Sequence, residues 1–170
     1  MRRALALFAV AVTAGCGSGS SSWEVHPDGR IGPLKIDVST EPQVRAFAGK
    51  PFKVQDLISP QKEGVVGHEL YYRCGRGCVT TYSISNATRK LSDYYVGSQR
   101  FVTEHGSHVG MPAARAAKLE RRKIVGGCAE GHYIHLRMDE HHIFVLGVFA
   151  GRVSSIVYLG PHTLSYEGLC

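Results

Sequence analysis

FVTEHGSHVGMPAARAAKLERRK, residues 101–123, holds an extended piece ending at Val109 and Met111, a proline at 112 placed to open a helix, and an alanine-rich run to about Glu120. GRIGPLKIDVSTEPQVRAFAGKPFKV, residues 29–54, has the same plan. An apolar-rich strand (Leu34, Ile36, Val38) leads to Ser39 or Thr40 as N-cap, with Pro42 in the first turn. A short helix through Val44 and Phe47 then stops at Gly49-Lys50-Pro51. Val38 and Met111 are 73 residues apart, and so are Val44 and Ala117. A fixed spacing of that kind predicts an internal repeat.

The segments beyond the two helices agree. After the first come VVGHELYYRC, CVTTYSIS and KLSDYYVGSQRFVT; after the second come GHYIHLRM, IFVLGVFA and GRVSSIVYL. All are rich in β-branched and aromatic residues and are broken by turn residues, the last two by an Ala-Gly-Arg turn. Antiparallel strands of this kind bury one face and wet the other. In HYIHLRM, alternation sends Ile134, Leu136 and Met138 one way and Tyr133, His135 and Arg137 the other. The expected fold is therefore α+β, with two tandem units, each a short helix plus an antiparallel β-meander, forming one compact body.

A short strand, then Gly110-Met111-Pro112 opening a helix, then a meander resembles the repeat of small bacterial lipoproteins of the SmpA/OmlA (BamE) type and of β-lactamase inhibitor proteins. The resemblance spans roughly residues 29–160, and the first unit departs from it, with Asp37-Val38-Ser39 in the motif's place. It implies an α+β fold and a binding role, since members of those families act by contacting other proteins. It transfers no catalytic or inhibitory residue.

The N-terminus gives an address. MRR supplies two positive charges, ALALFAVAVTA an apolar run of 11 residues, and Gly15-Cys16 comes next. The run is too short to span a membrane, which takes about 20 apolar residues, and reads as a signal peptide. Ala14-Gly15-Cys16 resembles the lipobox of bacterial lipoproteins, with Thr13 where leucine is usual. The resemblance implies removal of residues 1–15 and a diacylglycerol on Cys16, two acyl chains being enough for stable anchoring. Residues 16–28, in which GSGSSS comes directly after the cysteine, read as a flexible tether. The first unit is then 29–103 and the second 104–170. Losing Arg2 and Arg3 takes the basic count from 20 to 18 against 14 acids. That mild excess suits anionic lipid or wall polymer, and no nucleic-acid partner is expected. The expected location is a bacterial cell membrane, lipid-anchored and facing the extracytoplasmic side.

Four further cysteines, Cys74, Cys78, Cys128 and Cys170, make an even set in an exported chain and read as disulfide candidates. Four cysteines permit three connectivities. Cys74 with Cys78 is favoured because RCGRGCV reads as two strands joined by a Gly-Arg-Gly turn. Cys128 with Cys170 would hold the last residue to the body.

An enzyme reading finds little to use. GHYIHLRMDEHH places His132, His135, Asp139, Glu140, His141 and His142 within 11 residues. His132 and His135 sit three apart in a strand pattern, unlike the i, i+4 histidines of zinc hydrolases on a helix. DEHH suits an exposed hairpin turn. The metal candidates, His132, His135 and His141, therefore support only an alternative: an envelope enzyme or metal-binding protein using this cluster or the cysteine pairs. No cofactor is expected. Tyr72 and Tyr95, one from each tyrosine pair, and Arg115, Lys118 and Arg122 on the second helix and just after it are the candidate surface contacts. The expected function is a lipid-anchored, non-catalytic protein-binding module whose partner is an envelope or exported protein, inhibitor-like or assembly-related.

Overall fold

A computed structural model describes residues 23–58, 64–126 and 131–161. Two sheets dominate it. The smaller joins four two-residue strands, β1 (Glu24–Val25), β2 (Arg30–Ile31), β3 (Leu34–Lys35) and β8 (Val102–Thr103), in the order β3-β2-β1-β8. The larger contains β4 (Lys53–Ile58), β5 (Val65–Gly75), β6 (Cys78–Ser85) and β7 (Leu91–Val96). It continues with β9 (Ile124–Gly126), β10 (His132–Met138), β11 (Ile143–Phe149) and β12 (Arg152–Leu159). Its order is β4-β5-β6-β7-β12-β11-β10-β9, antiparallel throughout.

The helices are minor. α1 (Glu41–Ala48) and α2 (Ala113–Glu120) have eight residues each. Thr40 caps α1, its N–H donating to Gln43 Oε1 at 2.8 Å, and Gly49 at φ 87° ends it. Pro112 stands at the N-cap of α2, and Arg121, in the left-handed region, closes it. Each helix inserts a single stripe, Val44 from α1 and Ala113 with Ala116 from α2, into a core built by one face of the large sheet and by the small sheet. Tyr82, Tyr94, Phe144, Leu146, Ile156 and Tyr158 form the centre of that core, each at most 1% exposed.

This overturns the expected fold class. The chain is mostly β, and two helices of two turns each are too short to make a layer of their own. β7 pairs with β12 (Tyr95 opposite Val157), which makes the large sheet continuous across residue 103, the last residue of β8. The 73-residue spacing survives in part. Asp37 (φ 58°) and Gly110 (φ 89°) both turn in the left-handed region. Asp37 N–H donates to Leu91 O at 2.8 Å, and Gly110 N–H to Val153 O at 2.7 Å. Past these turns the spacing drops to 72, since the fully buried helix positions are Val44 and Ala116.

Two smaller corrections share one cause, local backbone irregularities that override alternation, and a third comes from pairing across the chain. Val38 is 58% exposed because the left-handed turn at Asp37 ends the strand after Lys35. Met138 is 66% exposed because a bulge between His135 and Arg137 breaks the period of two. Residues 23–28 are not tether. Val25 is fully buried, β1 pairs in parallel with β8, and Trp23 packs on Phe47 and Phe101 at 5.4 and 5.1 Å between ring centroids.

Candidate binding surface

The large sheet has a second face. Leu70, Tyr82, Tyr94, Ile156 and Leu146 point into the core, so their strand neighbours point away from it. Register lines these neighbours up in two rows across the strands. One runs Lys53, Tyr71, Thr81, Tyr95, Val157, Val145, His135. The other runs Gln55, Glu69, Ser83, Asp93, Leu159, Ile143, Met138. The face is thus polar and aromatic over β4–β7 and aliphatic over β10–β12. Ile143, Val145 and Val157 form an apolar cluster there with Tyr133 and Leu159, all from the sheet's own strands, whereas both helices belong to the other face.

Small side chains, Gly67, Thr81, Ser83 and Ser85, make a floor between taller flanks, and a cavity of about 140 Å³ opens on it, lined by Leu57, Glu69, Asp93, Tyr95, Val157 and Leu159 among others. Asp93 is the unusual member. Its carboxylate accepts from Ser92 Oγ at 2.8 Å and from the Gly160 N–H at 3.0 Å. Burial nonetheless pushes its pKa up to about 7, with Asp37 and Glu69 adding to the rise. Beside it Glu69 accepts from the Tyr71 hydroxyl, whose own pKa burial and that bond push up to about 12. Lys53 Nζ lies 5.0 Å over the Tyr71 ring, and Tyr95 stands 41% exposed at the cavity edge.

Of the residues singled out in the sequence, Tyr95 lies on this face and Tyr72 does not. Tyr72 is 8% exposed, on the core side with Leu70 and edge-on to Tyr82 at 5.6 Å. The outward member of that pair is Tyr71, because Leu70 opposite Tyr82 sets the register. Arg115, Lys118 and Arg122 are at least partly exposed along and just beyond α2, away from the rows. Arg122 donates to Leu136 O at 3.3 Å. Asp139–His142 forms the turn of the β10–β11 hairpin, with Asp139 Oδ1 accepting from the His141 and His142 N–H groups at 3.0 and 2.9 Å. These bonds and Arg137 hold the Asp139 carboxyl well below the usual range. His132, His135 and His141 are not brought together with a third ligand; among the described residues no group of three metal-ligating side chains converges. Cys74 and Cys78 are joined in a disulfide across the β5–β6 hairpin. Cys16, Cys128 and Cys170 lie outside the described residues.

Asp93 was missed in the sequence although a signal was present. In LSDYYV alternation puts an acid in step with Tyr95 and on the face opposite Tyr94 and Val96, and Leu91 joins the core only through the irregularity between Ser83 and Ile84.

Comparison with family models finds no match, and neither does comparison with curated proteins. Among solved structures the chain is similar to an extracellular protein containing a SCP domain from Bacillus anthracis str. Ames, at 10% identity and a TM-score of 0.48. That similarity covers 74% of this chain and 44% of the other, so the chain spans less than half of that protein's length.

Proposed function

We propose that this chain is a bacterial lipoprotein, anchored through diacylglycerol on Cys16 on the extracytoplasmic side of a cell membrane, that acts as a non-catalytic protein-binding module. The observation that carries the reading is the far face of the large sheet. Exposed Tyr95, the outward Tyr71 and, in the cavity beside Tyr95, a buried carboxyl are the parts from which central contacts of protein interfaces are made. The partner is an exported or envelope protein that presents a lysine or arginine to the cavity. An arriving cation would pair with Asp93 and Glu69, and the desolvated pair would then anchor the complex.

The test places a photoreactive residue at Tyr95 and, as a control, at Ala114 on the exposed side of α2, in the full chain in its host. The expected result is one envelope protein crosslinked from position 95 and not from 114. Its affinity for the purified chain should fall about tenfold or more in Asp93→Asn and change less than about twofold in Arg115→Gln. Equal crosslinking from both positions, or full affinity in Asp93→Asn, overturns the assignment of the face. The anchor is checked separately: Cys16→Ala should move the protein from the membrane to the soluble fraction, and retention in the membrane overturns that part.

A further inference from the structure

The largest cavity among those described lies at the end of the large sheet. It measures about 590 Å³, between the tip of the β5–β6 hairpin, the stretch just after β7, and Trp23. Three arginines line it: Arg73 near the end of β5, Arg76 in the hairpin turn, and Arg100 before β8. Among the described residues its lining contains no aspartate or glutamate. Arg30, Arg45 and Arg137 each pair with a carboxylate at 2.9 Å or less, whereas among the described residues none of the three cavity arginines has an ion-pair partner.

Aromatic rings hold two of them instead. The Arg100 guanidinium sits 5.2 Å over the Trp23 ring in the cavity wall, and that of Arg73, in step with the outward Tyr71, sits 4.7 Å over the Phe52 ring on the other side of the hairpin. Stacking of this kind fixes the plane of a guanidinium and leaves its in-plane N–H donors free for an oxyanion. The Cys74–Cys78 disulfide closes the hairpin that carries Arg76. The Gly97 N–H donates to Val79 O at 3.0 Å, which holds the strand leading to Arg100 against β6.

We infer that this cavity binds a phosphoryl group, borne by a small phosphate ester. Two guanidiniums, those of Arg76 and Arg100, without a counter-charge among the described residues exceed what a monovalent carboxylate neutralises, and they match a phosphate monoester, with nearly two negative charges and three terminal oxygens. The volume falls in the range of small-molecule sites, and the rings of Trp23, Tyr82 and Phe101 supply walls for the organic part of the ester. A phospholipid headgroup offers the same phosphoryl chemistry as a soluble ester. The site shares no residue with the two rows of the far face, so it stands or falls independently of the protein-binding reading.

Trp23 is the chain's single tryptophan and reports on the cavity directly. The unanchored Cys16→Ala chain is titrated with inorganic phosphate, with glycerol 3-phosphate, and with acetate at matched ionic strength, following Trp23 fluorescence and, independently, heat by calorimetry. The expected result is saturable binding of both phosphates and none of acetate. Affinity should be about tenfold weaker in Arg76→Gln and in Arg100→Gln, with Arg115→Gln within about twofold of the parent. Urea midpoints equal to the parent's show that the variants are folded. Acetate binding as well as phosphate, or arginine variants binding like the parent, overturns the site. Vesicles of phosphatidylcholine with and without phosphatidic acid separate the sources. Sedimentation with the acidic vesicles that Arg76→Gln and Arg100→Gln abolish assigns the site to a headgroup. Sedimentation unaffected by them, beside phosphate binding that they abolish, assigns it to a soluble ester.

Discussion

Asp93→Asn is expected to stabilise the protein by about 4 kcal/mol at pH 8 and to change its stability by less than about 0.5 kcal/mol at pH 4. The side chain ionises at about 7 in the folded protein, against an ordinary value of 3.8. Below about pH 4 both folded and unfolded chains hold the proton, and the group is neutral to folding. Between about pH 4 and pH 7 the unfolded chain gives the proton up while the folded chain keeps it, so stability falls as pH rises. Above 7 both are ionised and the loss stays constant, on the order of 4 kcal/mol for a shift of about three units. Asparagine carries no charge to desolvate, and its Oδ1 accepts from the Gly160 N–H as the carboxylate does. Urea midpoints of parent and variant from pH 4 to pH 8 check this: the gap should open between pH 4 and 7 and then level off. A gap that is flat with pH would mean that burial does not govern this carboxyl. The same substitution is expected to weaken partner binding, so Asp93 joins a stability cost to a binding role, a pairing common where a site needs a group the fold does not.

Removing residues 23–28 is expected to cost about 5 kcal/mol or to abolish cooperative unfolding, whereas a chain beginning at Trp23 should unfold like the full chain. Val25 is fully buried between Ile31 and Thr103, the residues its strand pairs with. β1 is also an inner strand of the small sheet, so its loss separates β8 from β2 and β3. Loss of Trp23 removes the ring that Phe47, Phe101 and the Arg100 guanidinium all contact. Urea unfolding monitored by circular dichroism compares the two truncated chains. Coincident curves would return residues 23–28 to the tether.

Legibility depended on range. Thr40, Pro42 and Gly49 mark α1, and Pro112 marks the start of α2, because caps act within one turn of the residue that makes them. CVTTYSIS is β6 from its first residue to its last, since β-branched residues between turn signals form a strand whatever lies beyond them. β4, KVQDLI, carries no such enrichment and is largely exposed; it is a strand because the outer edge of β5 offers it a partner. β1 and β2 have two residues each, below any periodicity, and exist through pairing alone. Fold class went astray for the same reason: two well-marked helices drew more weight than eight residues each can carry against the twelve strands of the described residues.

The candidate sites divide along the same line. Alternation in LSDYYV puts Asp93 and Tyr95 on one face, but Asp93 nears Glu69 only because both oppose Ser83. Arg73 and Arg76 are close in sequence. Arg100 and Trp23 come from elsewhere in the chain, and nothing in either neighbourhood announces a shared cavity.

By itself the sequence determined what depends on neighbours along the chain: the two helix starts, most of the long strands, and the hairpin turns at Arg76 and Asp139. The tertiary structure alone decided what depends on neighbours across space. It joined two runs of strands into one sheet through β7 and β12, drew residues 23–28 into the body, and set Arg76 and Arg100, without an ion-pair partner among the described residues, on one cavity. The physical reason is that a cap or turn is satisfied by atoms a few residues away. A sheet register, a buried carboxyl or an uncompensated charge is defined by groups whose separation along the chain is arbitrary.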